Sequence, residues 1–281
     1  MIQFFNGPLA LNGTLVLAGA GKMGGAMLAG WLSQGLDPKR VIVQDPGAPA
    51  EVGAVLSRHD ITVREAIAFL PAPPAVIVAA VKPQAMDQVF PGLAKLAGPD
   101  TLVLSIAAGK TLASFEKHLP AGAAVVRAMP NTPAAIGRGI TVCVANANVS
   151  DAQRALATSL LEAVGEVGWV ADEALMDAVT AVSGSGPAYV FLLAEAMAAA
   201  GVRQGLDPEL AARLARATVS GAGELLRQSS DNAAQLRQNV TSPGGTTAAA
   251  LEVLMREGAG VSELMAEAVA AATKRGRELA G

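Results

Sequence analysis

The chain has 281 residues, 52% apolar and 16% charged, which is length enough for a substantial core in one large domain or two ordinary ones and too apolar for intrinsic disorder. Its 21 basic and 24 acidic residues leave a net charge of −3, and no basic stripe is interleaved with aromatics, so composition argues against a nucleic-acid partner. A single cysteine, Cys143, removes any intrachain disulfide framework or paired-thiol metal site, and no metal is expected.

Met1 to Gly13 lacks a basic region and an unbroken apolar stretch, so no secretory leader is expected there. From Thr14 to about Trp169 short β-branched runs alternate with helical patterns. Strands are expected at Thr14 to Ala18, Val41 to Gln44, Ile61 to Val63, Ala75 to Ala79, Thr101 to Ser105, Ala124 to Arg127, Thr141 to Ala145 and Glu166 to Trp169. Continuous apolar runs separated by helices imply a parallel sheet covered on both faces, a doubly wound α/β domain. Asp37 with Pro38, Pro83, and Ser150 with Gln153 mark helix starts. Cys143, between two valines, reads as core, and His59 and His118 as surface residues.

After Asp172 the β-branched clusters stop and the pattern is helical to the end, which places a domain boundary there: residues 1–172, then 173–281. Asp207 with Pro208 starts one helix, and Ser242-Pro243-Gly244-Gly245 breaks the chain before another that begins near Thr246. No stretch reads as long and apolar enough for a membrane span. Ala188 to Val202 comes closest, interrupted by Glu195, and a soluble cytoplasmic protein is expected. The surplus of alanine in this half calls for close helix packing or a subunit interface.

Gly19-Ala20-Gly21-Lys22-Met23-Gly24 follows one strand and opens a helix running to about Gln34. In that setting the three glycines allow a tight turn, close approach of backbone to a pyrophosphate, and tight helix-on-strand packing, so a dinucleotide is expected on the helix N-terminus; an ordinary glycine turn is the alternative. Asp45 ends the second strand, about where an acid meets the adenosine ribose, and its charge opposes a 2′-phosphate. This favours NADH, unless Asp45 only starts a solvated turn.

Lys82, before Pro83, and Ser105-Ile106-Ala107-Ala108-Gly109 also stand at carboxyl strand ends, where ligands lie in open α/β sheets. Lys82 fits a solvated loop equally well. Asn131 could orient a ligand or hold a turn. In the helical half Gly244, Gly245 and Thr246 leave backbone N–H groups free at a helix start, a place for a carboxylate, with the Thr247 hydroxyl beside it; simple helix capping is the alternative.

No lysine occurs between Lys117 and Lys274, and both histidines lie in the first half. A hydroxyacid dehydrogenase needs an acid or base for the alcohol proton, normally His or Lys. A cyclic imine can already carry its proton in water, so orientation and a hydrogen bond with a hydroxyl suffice.

Taken together, five segments in order resemble the pyrroline-5-carboxylate reductase family from about Leu15 to Leu279: Gly19–Gly24, Ala80–Pro83, Met129–Pro133, Ser183–Ala188 and Val240–Thr247. The resemblance implies hydride transfer from NAD(P)H to 1-pyrroline-5-carboxylate, giving L-proline, on a Rossmann-like domain followed by an all-helical dimerisation domain. It implies that Thr247 hydrogen-bonds the imine nitrogen and that Ser242, Gly245 and Thr246 bind the carboxylate with Asn239 and Val240 lining the pocket. Gly19, Gly21, Lys22, Met23, Gly24 and Asp45 are the cofactor residues read above from the glycine loop and its spacing, and many relatives, which prefer NADPH, carry small polar residues where Asp45 stands. Ala80, Val81, Lys82, Pro83, Ile106, Ala107 and Ala108 would form the cofactor wall. It further implies a homodimer or larger assembly through the helical domain. Where some members carry a glutamate before the last segment, this chain reads Ser229-Ser230-Asp231. The alternatives are a β-hydroxyacid dehydrogenase, whose catalytic lysine the lysine-free span lacks, and a non-catalytic dinucleotide sensor, which has no use for a carboxylate site beside a hydroxyl.

Overall fold

A computed structural model describes Leu9 and residues 11–280, so most of the Met1 to Gly13 segment, read above as lacking a leader, lies outside the described residues. The chain clusters into two compact units, a sheet unit that runs to Gly184 and takes in the chain again from Thr273, and a helical unit, Ser185–Ala272.

The sheet unit is built from β1 (Leu15–Ala18), α1 (Lys22–Ser33), β2 (Val41–Gln44), α2 (Ala50–Arg58), β3 (Thr62–Arg64), β4 (Val76–Ala79), α3 (Pro83–Ala94), β5 (Leu102–Ser105), α4 (Leu112–Glu116), β6 (Ala124–Met129), β7 (Gly139–Ala145), α5 (Asp151–Glu162), β8 (Gly165–Trp169) and α6 (Met176–Val179). All eight expected strands form, with ends shifted by no more than two residues. Their order is β3-β2-β1-β4-β5-β6-β7-β8. The order reverses between β1 and β4, so a crevice opens there beyond the carboxyl ends of the strands.

The strands are buried on both faces because their alternate residues feed two cores. Leu15 and Leu17 face a cluster with Met27, Trp31 and Leu160 from α1 and α5, while Val16 and Ala18 face one with Met86, Phe90 and Phe115 from α3 and α4. Trp31 is fully buried, and its indole N–H donates to the Leu160 carbonyl at 2.7 Å, so its one polar atom is satisfied. The helix starts follow their sequence signals: Pro83 opens α3, and Ser150 and Gln153 form a reciprocal capping box on α5.

Three expectations need correction. β7 runs antiparallel to β6, not parallel: the link from Pro130 to Arg138 holds only a 3₁₀ turn, too short for a parallel crossover. Asp37 caps a single 3₁₀ turn, Pro38–Arg40, rather than a helix, because the next residue, Val41, already pairs in β2. Finally, the helical run Glu173–Arg203 is long and apolar enough, by length and composition, to cross a membrane. The single charge of Glu195 does not end the run, and Pro187 sits in the first turn of its helix, where it removes no needed donor.

The turn Glu173–Leu175, α6 and a π-helical turn, Thr180–Gly184, cluster with the sheet, although the β-branched pattern ends before them. The helical unit contains α7 (Gly186–Arg203), α8 (Pro208–Gln228), α9 (Ala233–Asn239), α10 (Thr246–Leu254) and most of α11 (Val261–Ala280). Among the described residues of this unit only Ala211, Ala215 and Gly260 are buried, while Phe191, Leu192, Leu193, Leu225, Val253 and Leu264 are more than half exposed. So little core cannot offset the chain entropy of ordering these helices, and the unit requires a further apolar cover.

Candidate active site

The glycine loop lies at the switch point of the sheet. Gly19 follows β1 with φ +92°, a conformation that favours glycine, and a Cβ on it would meet the Ala80 carbonyl oxygen at 2.6 Å. Gly24 packs against the Gly19 carbonyl so closely that a Cβ there would overlap it. Gly21 is the N-cap of α1 and offers no side-chain cap, and the first backbone bond of the helix runs from the Gly25 N–H to the Gly21 carbonyl at 2.7 Å. The amides of Lys22, Met23 and Gly24 therefore stand at an uncapped helix N-terminus, where an anion is stabilised by the free N–H groups and the helix dipole.

Asp45 is tied to this loop. Its Oδ2 accepts the Ala20 N–H at 2.6 Å and its Oδ1 the Gly47 N–H at 2.7 Å, while the Gly19 N–H donates to the Gln44 carbonyl at 2.9 Å. The acid at the end of β2 thus stands beside the loop after β1, where a ribose acceptor belongs. The segments expected to wall the cofactor follow β4 and β5. Ala80 and Ile106 continue the strand ladder through bonds to the carbonyls of Ala18 and Ala79, Val81 and Pro83 are half-buried, Ala107 is buried, and Lys82 and Ala108 are exposed. Pro83 and Ala108 also line a cavity of about 550 Å³ with Asp87, Lys110, Thr180 and Leu279. There Lys110, bonded at 2.8 and 2.9 Å, holds the Asp87 carboxyl below its ordinary range. Asn131 bridges the Ser183 carbonyl and the Ile140 N–H, which makes it a structural amide in this chain.

In the helical unit, Gly244 has φ +69° and turns the chain into α10, whose N-cap, Gly245, has no side-chain cap. The Gly245 N–H is not free as expected: it donates to the Ser242 carbonyl at 3.0 Å, closing the turn. The first helical bond, from the Ala249 N–H to the Gly245 carbonyl, leaves the amides of Thr246, Thr247 and Ala248 as the open first turn. Ser242 and Thr246 are exposed and Thr247 half-buried. Asn239 and Val240 end α9. The Asn239 amide N–H₂ donates to Asp231 at 3.4 Å, and its oxygen accepts from Gln235 at 2.8 Å. Asp231, which follows Ser229-Ser230, is thereby connected to Asn239, which the resemblance assigns to the pocket.

The family model described as pyrroline-5-carboxylate reductase dimerisation matches residues 173–279, and the one described as NADP oxidoreductase coenzyme F420-dependent matches residues 14–109. A pyrroline-5-carboxylate reductase from Pseudomonas aeruginosa is 44% identical over 266 residues, 95% of this chain and 96% of the relative. The chain belongs to the pyrroline-5-carboxylate reductase family. It is therefore an oxidoreductase that uses a nicotinamide dinucleotide, in a family that carries out the last step of proline biosynthesis. The solved pyrroline-5-carboxylate reductase of Coxiella burnetii superposes on this reductase with a TM-score of 0.88 at 35% identity, covering 96% of this chain and 99% of that one. That of Plasmodium falciparum, solved with NADP bound, gives 0.78 at 28% identity, covering 96% and 99%.

The glycine loop and Asp45 were legible in the sequence from spacing alone, and the loop before α10 from its glycines. Arg127 and Glu173 were not recognised as a pair. Arg127 interrupts an apolar strand and so demands a buried partner, but nothing in the sequence points to Glu173 as that partner.

Proposed function

We propose that this reductase binds the pyrophosphate of its dinucleotide on the amides of Lys22, Met23 and Gly24, and the carboxylate of 1-pyrroline-5-carboxylate on those of Thr246, Thr247 and Ala248. When bound, the reduced nicotinamide supplies hydride to the imine carbon of the substrate, giving L-proline. The residues of the chain orient and bind. Gly19 and Gly21 keep side chains out of the pyrophosphate's path, and Ala80, Val81, Lys82, Pro83, Ile106, Ala107 and Ala108 wall the cofactor. Ser242, Thr246 and the turn at Gly245 hold the carboxylate, with Asn239 and Val240 beside it. Thr247 hydrogen-bonds the imine nitrogen, which already carries its proton, so no lysine or histidine is required.

Asp45 turns the cofactor choice toward NADH, since its carboxylate suits a ribose hydroxyl pair and repels a 2′-phosphate. The single observation that carries the reading is the open first turn of α10, an uncapped helix start with a threonine hydroxyl beside it. The exposed apolar faces of α7 and α8 support a homodimer or larger assembly, in which they find their cover and need no membrane. A cytoplasmic location belongs to the same reading.

The purified protein, given 1-pyrroline-5-carboxylate and each reduced cofactor in turn, is expected to consume NADH faster than NADPH and to release proline. No loss of nicotinamide absorbance with either cofactor contradicts the reading.

A further inference from the structure

Arg127 lies in β6 with its side chain 6% exposed, and its guanidinium donates to Glu173 Oε1 at 2.8 Å. The same carboxylate oxygen accepts the Leu112 N–H at 2.9 Å. Leu112 is the first residue of α4, so the acid bonds the amide that ends the loop leading from β5 through Ile106, Ala107 and Ala108. At its other end the loop is fixed by Ser105, fully buried, whose hydroxyl accepts the Ala107 N–H at 3.2 Å and which is the register partner of Arg127. The loop is therefore held twice from neighbouring strands, directly at Ser105 and through the charge of Arg127 at Leu112. A buried arginine charge needs a compensating acid whatever its role. The shared oxygen adds something a bare ion pair would not, a fixed position for the start of α4.

We propose that Glu173, held by Arg127, is a positioning residue for the cofactor wall: it sets Ile106, Ala107 and Ala108 where the dinucleotide meets them. This rests on the assignment of those three residues to the wall.

The test measures NADH and NADPH dissociation constants by calorimetry, the KM for 1-pyrroline-5-carboxylate, and the melting temperature. In Glu173→Ala both cofactors are expected to bind about 10-fold more weakly, with the imino-acid KM unchanged, because a displaced wall costs contacts only on the cofactor side. Glu173→Gln, which keeps an oxygen for the Leu112 N–H, should recover most of that loss. Leu112→Pro removes the N–H together with a half-buried leucine side chain packed against the second core, so Leu112→Ala, which keeps the N–H, is measured beside it. Proline is tolerated at a first helical position, Thr111 before it is extended, and the ion pair stays intact, so this variant decides the matter should Glu173→Ala fail to fold. It is expected to weaken both cofactors as Glu173→Ala does. Ala108→Trp, at an exposed position, blocks the wall directly. If Ala108→Trp weakens the cofactor while folded Leu112→Pro and Glu173→Ala bind it as the wild type does, the positioning role is overturned and the wall stands. If Ala108→Trp binds normally, the wall assignment and the role of Glu173 both fall.

Discussion

The Asp45 carboxylate accepts the Ala20 N–H at 2.6 Å and the Gly47 N–H at 2.7 Å, so one side chain joins the end of β2 to the glycine loop after β1. It fixes the loop, and in the proposed function it also faces the ribose. Asp45→Ser removes the charge that opposes a 2′-phosphate and shortens the reach to Ala20. The ratio of kcat/KM for NADPH over NADH is expected to rise, while KM for NADH rises by about 10-fold, one lost charged hydrogen bond being worth roughly 1.5 kcal/mol or more. Steady-state kinetics with both cofactors checks this, and an unchanged ratio removes Asp45 from cofactor choice.

Thr247→Ala keeps a good helix former in the first turn of α10 and leaves its backbone N–H in place. Turnover is expected to fall on the order of 100-fold, as for the loss of one preorganised hydrogen-bond partner, with the fold intact by circular dichroism. Thr247→Ser, which restores the hydroxyl, should recover much of it. Wild-type turnover in the alanine variant contradicts the assigned hydrogen bond.

Cys143 is fully buried in β7, and burial pushes its thiol from an ordinary 9.0 up to about 12. The unfolded chain loses this proton near pH 9 while the folded one keeps it, so above pH 9 the unfolded state binds fewer protons and stability falls as pH rises toward 12. Cys143→Ala should flatten that part of the stability curve, measured by denaturant melts. A thiol reagent at pH 8 should leave the folded protein unmodified and label it once unfolded.

Phe191, Leu192 and Leu193 are 67%, 63% and 53% exposed in the single chain, on a helix with no buried residue among those described. The wild-type protein is expected to sediment as a dimer or larger. Phe191→Glu places a charge in that interface and should weaken association by several kcal/mol, seen as a concentration-dependent shift toward monomer in sedimentation. A stable, active wild-type monomer contradicts the interface.

The parts of this fold that the sequence announces are local. Glycines, prolines and apolar runs place β1 to β8 within a residue or two, because each strand carries its own breakers, and the glycine loop and the turn before α10 are read the same way. Direction is not local: the run in β7 is apolar whichever way it pairs, and only the short link from Pro130 to Arg138 makes it antiparallel to β6. Side-chain contacts across the fold are equally hidden. Asp45 could be placed near a ribose by spacing, but its bond to Ala20 could not, nor could the sharing of Glu173 between Arg127 and Leu112. At Gly245 a helix start was legible and the fate of its amide was not, since the Ser242 carbonyl takes it only once the turn has closed.

The most direct measurement is a crystal structure of the assembled protein with proline and the oxidised dinucleotide bound. The proline carboxylate is expected within about 3.2 Å of the amides of Thr246, Thr247 and Ala248, with its nitrogen at the Thr247 hydroxyl. Proline seated away from the start of α10, with those amides facing solvent, contradicts the mechanism.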